Sequence, residues 1–305
     1  MKEFLGSVFK FSVFAAAGYT ILLLIWGNLM PQPLKPNLNY KRGGAGHLLS
    51  RLNEVKDKKD LDILFLGSSH AYRGFDNRLF ENDSIQVFNL GSSSQTPRQT
   101  EVLLERYLDA LNPKLVIYEV YPETFAMDGV ESANDLVSND QNDLLSLKMA
   151  MEINHIKVYN TLVYSVADQL LKKNNHEDSI HGRDTYIPGG FVQTELRHYQ
   201  PTSSILKTSA FKDDQFEKFK EILSALRARN CDFVLVFAPV TTSEYEALGD
   251  MTLFNSQMRD LGDYYNFNEI MTLNDSLHFY DAHHLNQHGV ELFNQRLIEL
   301  LSLNN

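Results

Sequence analysis

The chain contains several short apolar runs, each shut off abruptly by a turn former, and these constrain its fold more than any other feature. Ile63 to Leu66 stops at Gly67, Ile85 to Leu90 stops at Gly91, and Leu115 to Val120 stops before Tyr121-Pro122. Runs this short, cut by glycine or proline, read as buried strands of a parallel sheet. A fourth run covers Asp232 to Ala238, and Phe267 to Met271 is expected as a short fifth strand. Helical patterns lie between them. Thr96 can cap a helix that has Pro97 in its first position and Gln99 completing a capping box. Its apolar positions Val102, Leu103, Tyr107, Leu108 and Leu111 keep helical spacing, and Asn112-Pro113 ends it. Phe216, Phe219, Leu223 and Leu226 mark a second helix, Glu244 to Leu261 a third, and Asn286 to Leu301 a last one with Leu292, Leu297 and Leu300 inward. Strands alternating with helices predict an α/β protein with a doubly wound, mostly parallel sheet covered on both faces.

Two segments depart from that pattern. Residues 125–210 lack an obvious strand and read as a helical insertion at the carboxyl edge of the sheet. A polar stretch at 131–143 is followed by helices over Asp143 to Ile153 and Ile156 to Leu171, the second with Ile156, Tyr159, Val163, Val166 and Leu170 on one face. A loop rich in His, Gly and Pro follows at 174–203. Insertions at this edge often form lids or substrate walls. At the N-terminus, Phe11 to Met30 runs a bilayer's width without a charge, preceded by Lys2 and Lys10. The small cluster Ala15-Ala16-Ala17-Gly18 sits mid-span instead of at a cleavage end, which favours an uncleaved anchor over a signal peptide. The division expected is an anchor over 1–30, a juxtamembrane linker over 31–59 and a domain over 60–305. Lysines and arginines flank both ends of the span, so charge alone does not orient it.

Composition excludes some classes. A net charge of −11 without a basic stripe excludes nucleic acid as a partner. A single cysteine, Cys231, excludes an internal disulfide and sits where a small core residue is expected. Neither a Walker lysine nor G-x-G-x-x-G is present, so no nucleotide cofactor is expected.

Chemistry concentrates at two places. Gly67-Ser68-Ser69-His70 closes the first strand, and ligands of open α/β sheets sit outside the carboxyl ends of strands. Tyr280-Asp281-Ala282-His283-His284 precedes the last helix. The three-residue spacing lets Asp281 hold one ring nitrogen of His284 while the other takes a proton from Ser69. Other readings stand beside this one. His283 is an alternative base, and His70 reads as a turn or rim residue. His284 and His288, with His278, His283 and Asp281 near them, have a spacing that can bind zinc on a helix. No cysteine or second carboxylate supports that metal site, and none is assigned.

Gly67-Ser68-Ser69, the Asn89-Leu90-Gly91 turn and Asp281-Ala282-His283-His284 resemble blocks I, II and V of the SGNH (GDSL-like) hydrolase superfamily, over roughly residues 60 to 301 apart from the insertion. The resemblance implies a three-layer sandwich of flavodoxin-like type. It maps the nucleophile to Ser69, the base to His284 and the orienter to Asp281, with no cofactor. The N-terminal span and the Gly-Ser-Ser variant resemble a membrane-anchored subset of cell-surface O-acyltransfer proteins. That subset implies a catalytic domain on the extracytoplasmic (periplasmic) side, a membrane-bound O-acyltransferase partner and a polysaccharide or glycan acceptor. One departure is plain: the third strand ends in Glu119-Val120-Tyr121-Pro122-Glu123 and lacks the block III asparagine that donates to the oxyanion. The hole is then expected to rest on the N–H groups of Ser69 and Gly91, with Tyr121 or Arg73 as a further donor. The rival reading from another class is a non-catalytic accessory subunit, and a third is a simple esterase.

Overall fold

The computed structural model describes residues 1–44, 46–80, 85–171, 176–201, 206–207 and 210–301. The elements run in chain order as α1 (Lys2–Leu29), α2 (Leu48–Glu54), β1 (Ile63–Leu66), α3 (Ser69–Gly74), α4 (Asn77–Phe80), β2 (Val87–Asn89), α5 (Pro97–Leu111) and β3 (Leu115–Glu119). The middle of the chain holds α6 (Val130–Asn139), α7 (Leu144–Ile153), α8 (Ile156–Leu171), β4 (Ile180–His181), β5 (Asp184–Ile187) and β6 (Phe191–Thr194). The rest is α9 (Asp213–Ala228), β7 (Asp232–Phe237), α10 (Thr242–Ala247), α11 (Thr252–Leu261), β8 (Asp263–Asn266), α12 (Phe267–Ile270), α13 (Asp275–His278) and α14 (Gln287–Leu300). Two compact units result, one of Met1–Arg42 with Ala133–Asn174, the other of Gly43–Ser132 with Asn175–Asn305.

The larger unit is built on a parallel sheet of order β2-β1-β3-β7-β8, so the α/β expectation holds. In chain order this is the flavodoxin-like arrangement, whose crevice opens where the strand order reverses, between β1 and β3. Strand alternation gives each face its own core. Ile63, Phe65, Ile117, Val234 and Val236 pack with Phe75 of the segment after α3 and with Phe293 and Leu297 of α14. On the other face Tyr118 meets Phe219 of α9, ring centroids 5.2 Å apart. The capping box of α5 forms as expected, and Asn112 ends that helix in the left-handed conformation. Cys231 is buried just before β7.

Several expected boundaries are corrected. The fifth strand is Asp263–Asn266, and Phe267 instead opens α12, where the Asn266 side chain accepts from Asn268 N and caps the turn. Glu244 to Leu261 is two helices broken at Gly249, whose φ of +75° suits glycine. In α14 Leu292 faces outward, and Val290 and Phe293 share the core with Leu297. The insertion does carry strands: β4, β5 and β6 form a small antiparallel sheet. Its strands are too short for a periodic signal, and its turns sit on Gly182, Gly189 and Gly190, all with positive φ. Gly190 is also a packing requirement, since a Cβ there would overlap the Asn89 carbonyl oxygen at the end of β2. Residues 174, 175, 202 and 203 of the expected loop lie outside the described residues.

In the smaller unit, the polar stretch expected at 131–143 is helical over α6, and α7 and α8 follow. The face expected inward on α8 is not the buried one. Ile156, Val166 and Leu170 are exposed, while Val158, Thr161, Ser165 and Asp168 are buried. Asp168 accepts a 2.7 Å bond from Tyr40 OH and Ser165 donates to the Val137 carbonyl, so polar pairing fixes this helix's rotation. The helix α1 is long and apolar enough to cross a membrane.

Candidate active site

The turn after β1 is shaped by what lies beneath it. Gly67 has φ +134°, and a Cβ there would come within 2.7 Å of the Glu119 side chain at the end of β3. The chain can therefore turn so that Ser68 N–H and Ser68 Oγ–H both donate to Glu119 Oε2, each at 2.8 Å. Ser68 in turn caps α3 by accepting from His70 N. Ser69, one residue on, begins α3 and faces the mouth of the crevice. Among the described residues no acceptor is paired with its N–H.

The other half comes from the loop before α14. Asn286 caps that helix with its side-chain oxygen and donates to the Leu277 carbonyl at 2.8 Å, and Thr241 donates to the Ala282 carbonyl at 2.9 Å. Within the loop Asp281 Oδ1 accepts the backbone N–H groups of His283 and His284, both at 2.8 Å. The carboxylate also lies 3.1 and 3.0 Å from His284 Nδ1. This fixes the proton on Nδ1 and leaves the Nε2 lone pair for Ser69 Oγ, 2.8 Å away. The rings of His70 and Tyr280 both stack with the imidazole, centroids 5.0 and 5.6 Å away.

The charges follow from these contacts. Burial lowers the His284 pKa, and Asp281 opposes that shift, so the ring is a neutral base near pH 7. Burial works against the Asp281 charge, yet the bonds and charge of His284 hold its carboxyl well below the usual range. Among the described residues no cation sits beside Glu119, and burial pushes its pKa up to about 7 against the two Ser68 bonds and one from the Tyr121 backbone. His70, buried beside two other histidines, is held well below the usual imidazole range by burial first and by their charges second.

The expected oxyanion donors are placed less simply. Gly91 packs against the turn, with its Cβ position 3.0 Å from the Ser68 carbonyl oxygen, but its N–H donates to Asn89 Oδ1 at 3.1 Å. Tyr121 OH donates to Glu244 at 2.6 Å. Arg73 makes a two-pronged pair with Asp184 of β5, both bonds 2.9 Å, and donates to Thr194 of β6. Both side chains are thus engaged elsewhere, because the insertion and α10 bring carboxylates to them.

Sequence reasoning missed how several neighbours of the site are placed. His70 is buried, not a rim residue. His283 faces Glu244, 3.2 Å from its Nδ1, instead of pairing with the Asp281 carboxylate through its ring. Glu244 also takes Lys207, and these bonds hold its pKa down to about 2 although burial opposes them. Glu119 and Tyr280 complete the set. The signal available was the run of histidines on both sides of the site, but their sorting depends on carboxylates from β3 and α10. Both nitrogens of His284 are engaged by Asp281 and Ser69, and His278 Nδ1 accepts from Asn274 N. His288 lies toward His198, ring centroids 6.3 Å apart.

No family model and no curated protein matches the chain. Among solved structures it is similar to a protein thought to be an acylhydrolase of Bacteroides fragilis, at 13% identity and TM-score 0.43 over 85% of this chain and 98% of that one. It is also similar to a protein of Streptococcus pneumonia thought to be a platelet activating factor, at 12% identity and TM-score 0.42 over 83% and 94% of the two chains. A GDSL-like lipase from Bacteroides thetaiotaomicron matches at 12% identity and TM-score 0.38 over 78% and 88%. Likenesses this distant carry no weight for the chemistry, which rests on the side chains themselves.

Proposed function

We propose that the chain is a serine-dependent acyl-ester enzyme of the SGNH kind, with Ser69 as nucleophile, His284 as base and Asp281 as its orienter. The observation that supports this is one chain of contacts: Asp281 on Nδ1 of His284 and Ser69 Oγ 2.8 Å from Nε2, at the crevice of a flavodoxin-like sheet. As Oγ bonds to the acyl carbon, its proton passes to Nε2 and the carbonyl oxygen becomes an oxyanion. Ser69 N–H is the available donor to it. Collapse breaks the ester C–O bond, and the Nε2 proton goes to the departing alkoxide. The acyl-enzyme is resolved by a second hydroxyl, whose proton goes to Nε2 as its oxygen bonds to the acyl carbon; the Ser69 Oγ–acyl bond then breaks and Nε2 returns the proton to Oγ. That hydroxyl belongs to water in a hydrolase and to a sugar in an O-acyltransferase. We extend the proposal to a cell-surface polysaccharide or related glycan as acceptor and to a membrane-bound O-acyltransferase as partner. In this reading α1 is an uncleaved anchor and the domain stands on the extracytoplasmic side.

Intact-mass labelling of the full chain with a fluorophosphonate, beside Ser69→Ala and His284→Ala, tests the core of this reading. Stoichiometric labelling of the wild type alone, mapped to Ser69, is expected. Absence of labelling in a folded, monodisperse sample sinks it.

One observation favours the accessory reading: the Gly91, Tyr121 and Arg73 donors are all engaged within the chain. Loss of one oxyanion donor costs about 3 kcal/mol of transition-state stabilisation. A non-catalytic subunit keeps its biological role in a Ser69→Ala variant; an enzyme loses it.

A further inference from the structure

Within the smaller unit, α8 meets α1 at a depth that decides where the α7–α8 hairpin lies. Tyr19 OH donates to Asn160 Oδ1 at 2.6 Å. Eight residues later Gly27 packs on the Tyr164 ring so closely that a Cβ would overlap it, with Leu23 and Leu38 in the same cluster. The two helices therefore run in the same sense, and the N-terminal end of α8 points toward the N-terminal end of α1.

A hydrocarbon core about 30 Å thick takes about 20 helical residues, and a tilted helix takes more. Even if the core began at Lys2, with Lys10 reaching back to the interface, it would end no sooner than about residue 21. Starting it after Lys10 moves the end toward Met30. An end near Met30 would carry the Tyr19–Asn160 contact toward the midplane, where Lys148 and Lys157 do not belong, whereas an end near residue 21 leaves it at the boundary, with the start of α8 about a turn deeper. The side chains there fit that depth. Met151 is 62% exposed and Ile156 49% exposed, on the two sides of the Asn154-His155 turn. Leu144 and Leu147 continue the exposed apolar stripe along α7. Lys148 and Lys157 lie on the same hairpin, as in helices that settle at a lipid surface.

We propose that the α7–α8 hairpin is a second membrane contact, seated in the lipid headgroup and acyl boundary beside α1 through Met151 and Ile156. The hairpin then fixes how the chain emerges from the bilayer, where a lone helix would let it pivot. The inference rests on α1 being a membrane anchor and is independent of the chemistry at Ser69.

The test uses the full chain in phosphatidylcholine–phosphatidylglycerol nanodiscs, in a Cys231→Ser background. An environment-sensitive fluorophore is placed singly at Met151→Cys, Ile156→Cys, Phe14→Cys in α1, and Leu292→Cys on the exposed side of α14. Labels at 151 and 156 are expected to shift to the blue and to be quenched several-fold more by shallow nitroxide lipids than the label at 292. If only position 14 is lipid-quenched, the anchor stands and the hairpin proposal fails. If position 14 is not quenched either, both fail. Protection of 151 and 156 from iodide without lipid quenching means that protein covers them, which also overturns the proposal. Hydrogen exchange over 144–160 in the unsubstituted chain guards against a misfolded variant: the bilayer is expected to slow it relative to mild detergent.

Discussion

Two sets of serine, histidine and carboxylate stand side by side at the end of β1, and they are wired in different orders. In Asp281–His284–Ser69 the histidine is in the middle, with a carboxylate on one nitrogen and a hydroxyl on the other. In Glu119–Ser68–His70 the serine is in the middle, 2.8 Å from the carboxylate and 3.1 Å from His70 Nδ1. A histidine between the other two can take a proton from the hydroxyl and be stabilised as it does so. A serine between them donates its hydroxyl proton to Glu119 and so ties the turn to β3. The same residue types thus give an arrangement fit for proton transfer in one order and a structural pin in the other. The carboxylates register the difference: Asp281 is pushed down beside His284, while burial drives Glu119 up to about 7.

The largest effect that can break this comparison is at Asp281. Asp281→Asn should slow fluorophosphonate labelling of Ser69 by roughly 10³- to 10⁴-fold, since the amide favours the wrong tautomer of His284. Stopped-flow labelling reads this, and a loss under tenfold would mean that the carboxylate orients nothing. Label appearing on Ser68 in the Ser69→Ala variant would erase the distinction between the two sets.

Glu119 tests the other set. Its pKa is raised from 4.5 to about 7 in the fold, so the native state holds a proton that the unfolded chain gives up. The stability linked to that proton is complete below the unfolded value and is lost as pH rises through about 7, on the order of 3 kcal/mol. Asp281 has the opposite sign, and its contribution is lost as pH falls. Glu119→Gln should therefore flatten the fall in Tm that the wild type shows between about pH 5 and about pH 8. An unchanged slope would place the proton elsewhere. Ser68→Ala should follow in size. It removes one of the two bonds to Glu119 Oε2 and costs about 1–3 kcal/mol of stability, while Ser69 still labels.

The strong local signals in the sequence are those that needed no partner from elsewhere. The glycine after Leu66, the Thr96–Gln99 box and the Asp281–His284 spacing are each decided within a few residues, and β1, α5 and the terminal loop form where they point. Alternation of strand and helix points to the parallel α/β class, whereas the flavodoxin-like order is implied only by the resemblance. What stayed hidden depends on distant chain. The strands β4–β6 form because a glycine hairpin docks against Asn89, and the rotation of α8 is set by Tyr40 and Val137. Glu119 read only as a departure from a family pattern, because its role appears when β3 is laid under the β1 turn. Tyr121 and Arg73 looked free in the sequence because Glu244 and Asp184 reach them from segments more than a hundred residues away.

The finest discrimination comes from His283, which belongs to neither set. Its Nδ1 faces Glu244, and that bond raises its pKa against the effect of burial. Its ring lies 6.0 Å from that of His284, and as an imidazolium it makes protonation of His284 harder. Labelling of Ser69 requires neutral His284, so its rate rises with pH through the pKa of that base. Removing the neighbouring charge with His283→Gln lets His284 hold its proton to higher pH. The acid limb of the labelling profile should move to higher pH, with the plateau nearly unchanged. A downward shift would mean that His283 is neutral or that its proton bears on Ser69 directly. A collapsed plateau would move His283 into the reacting set and redraw the boundary between the two serines.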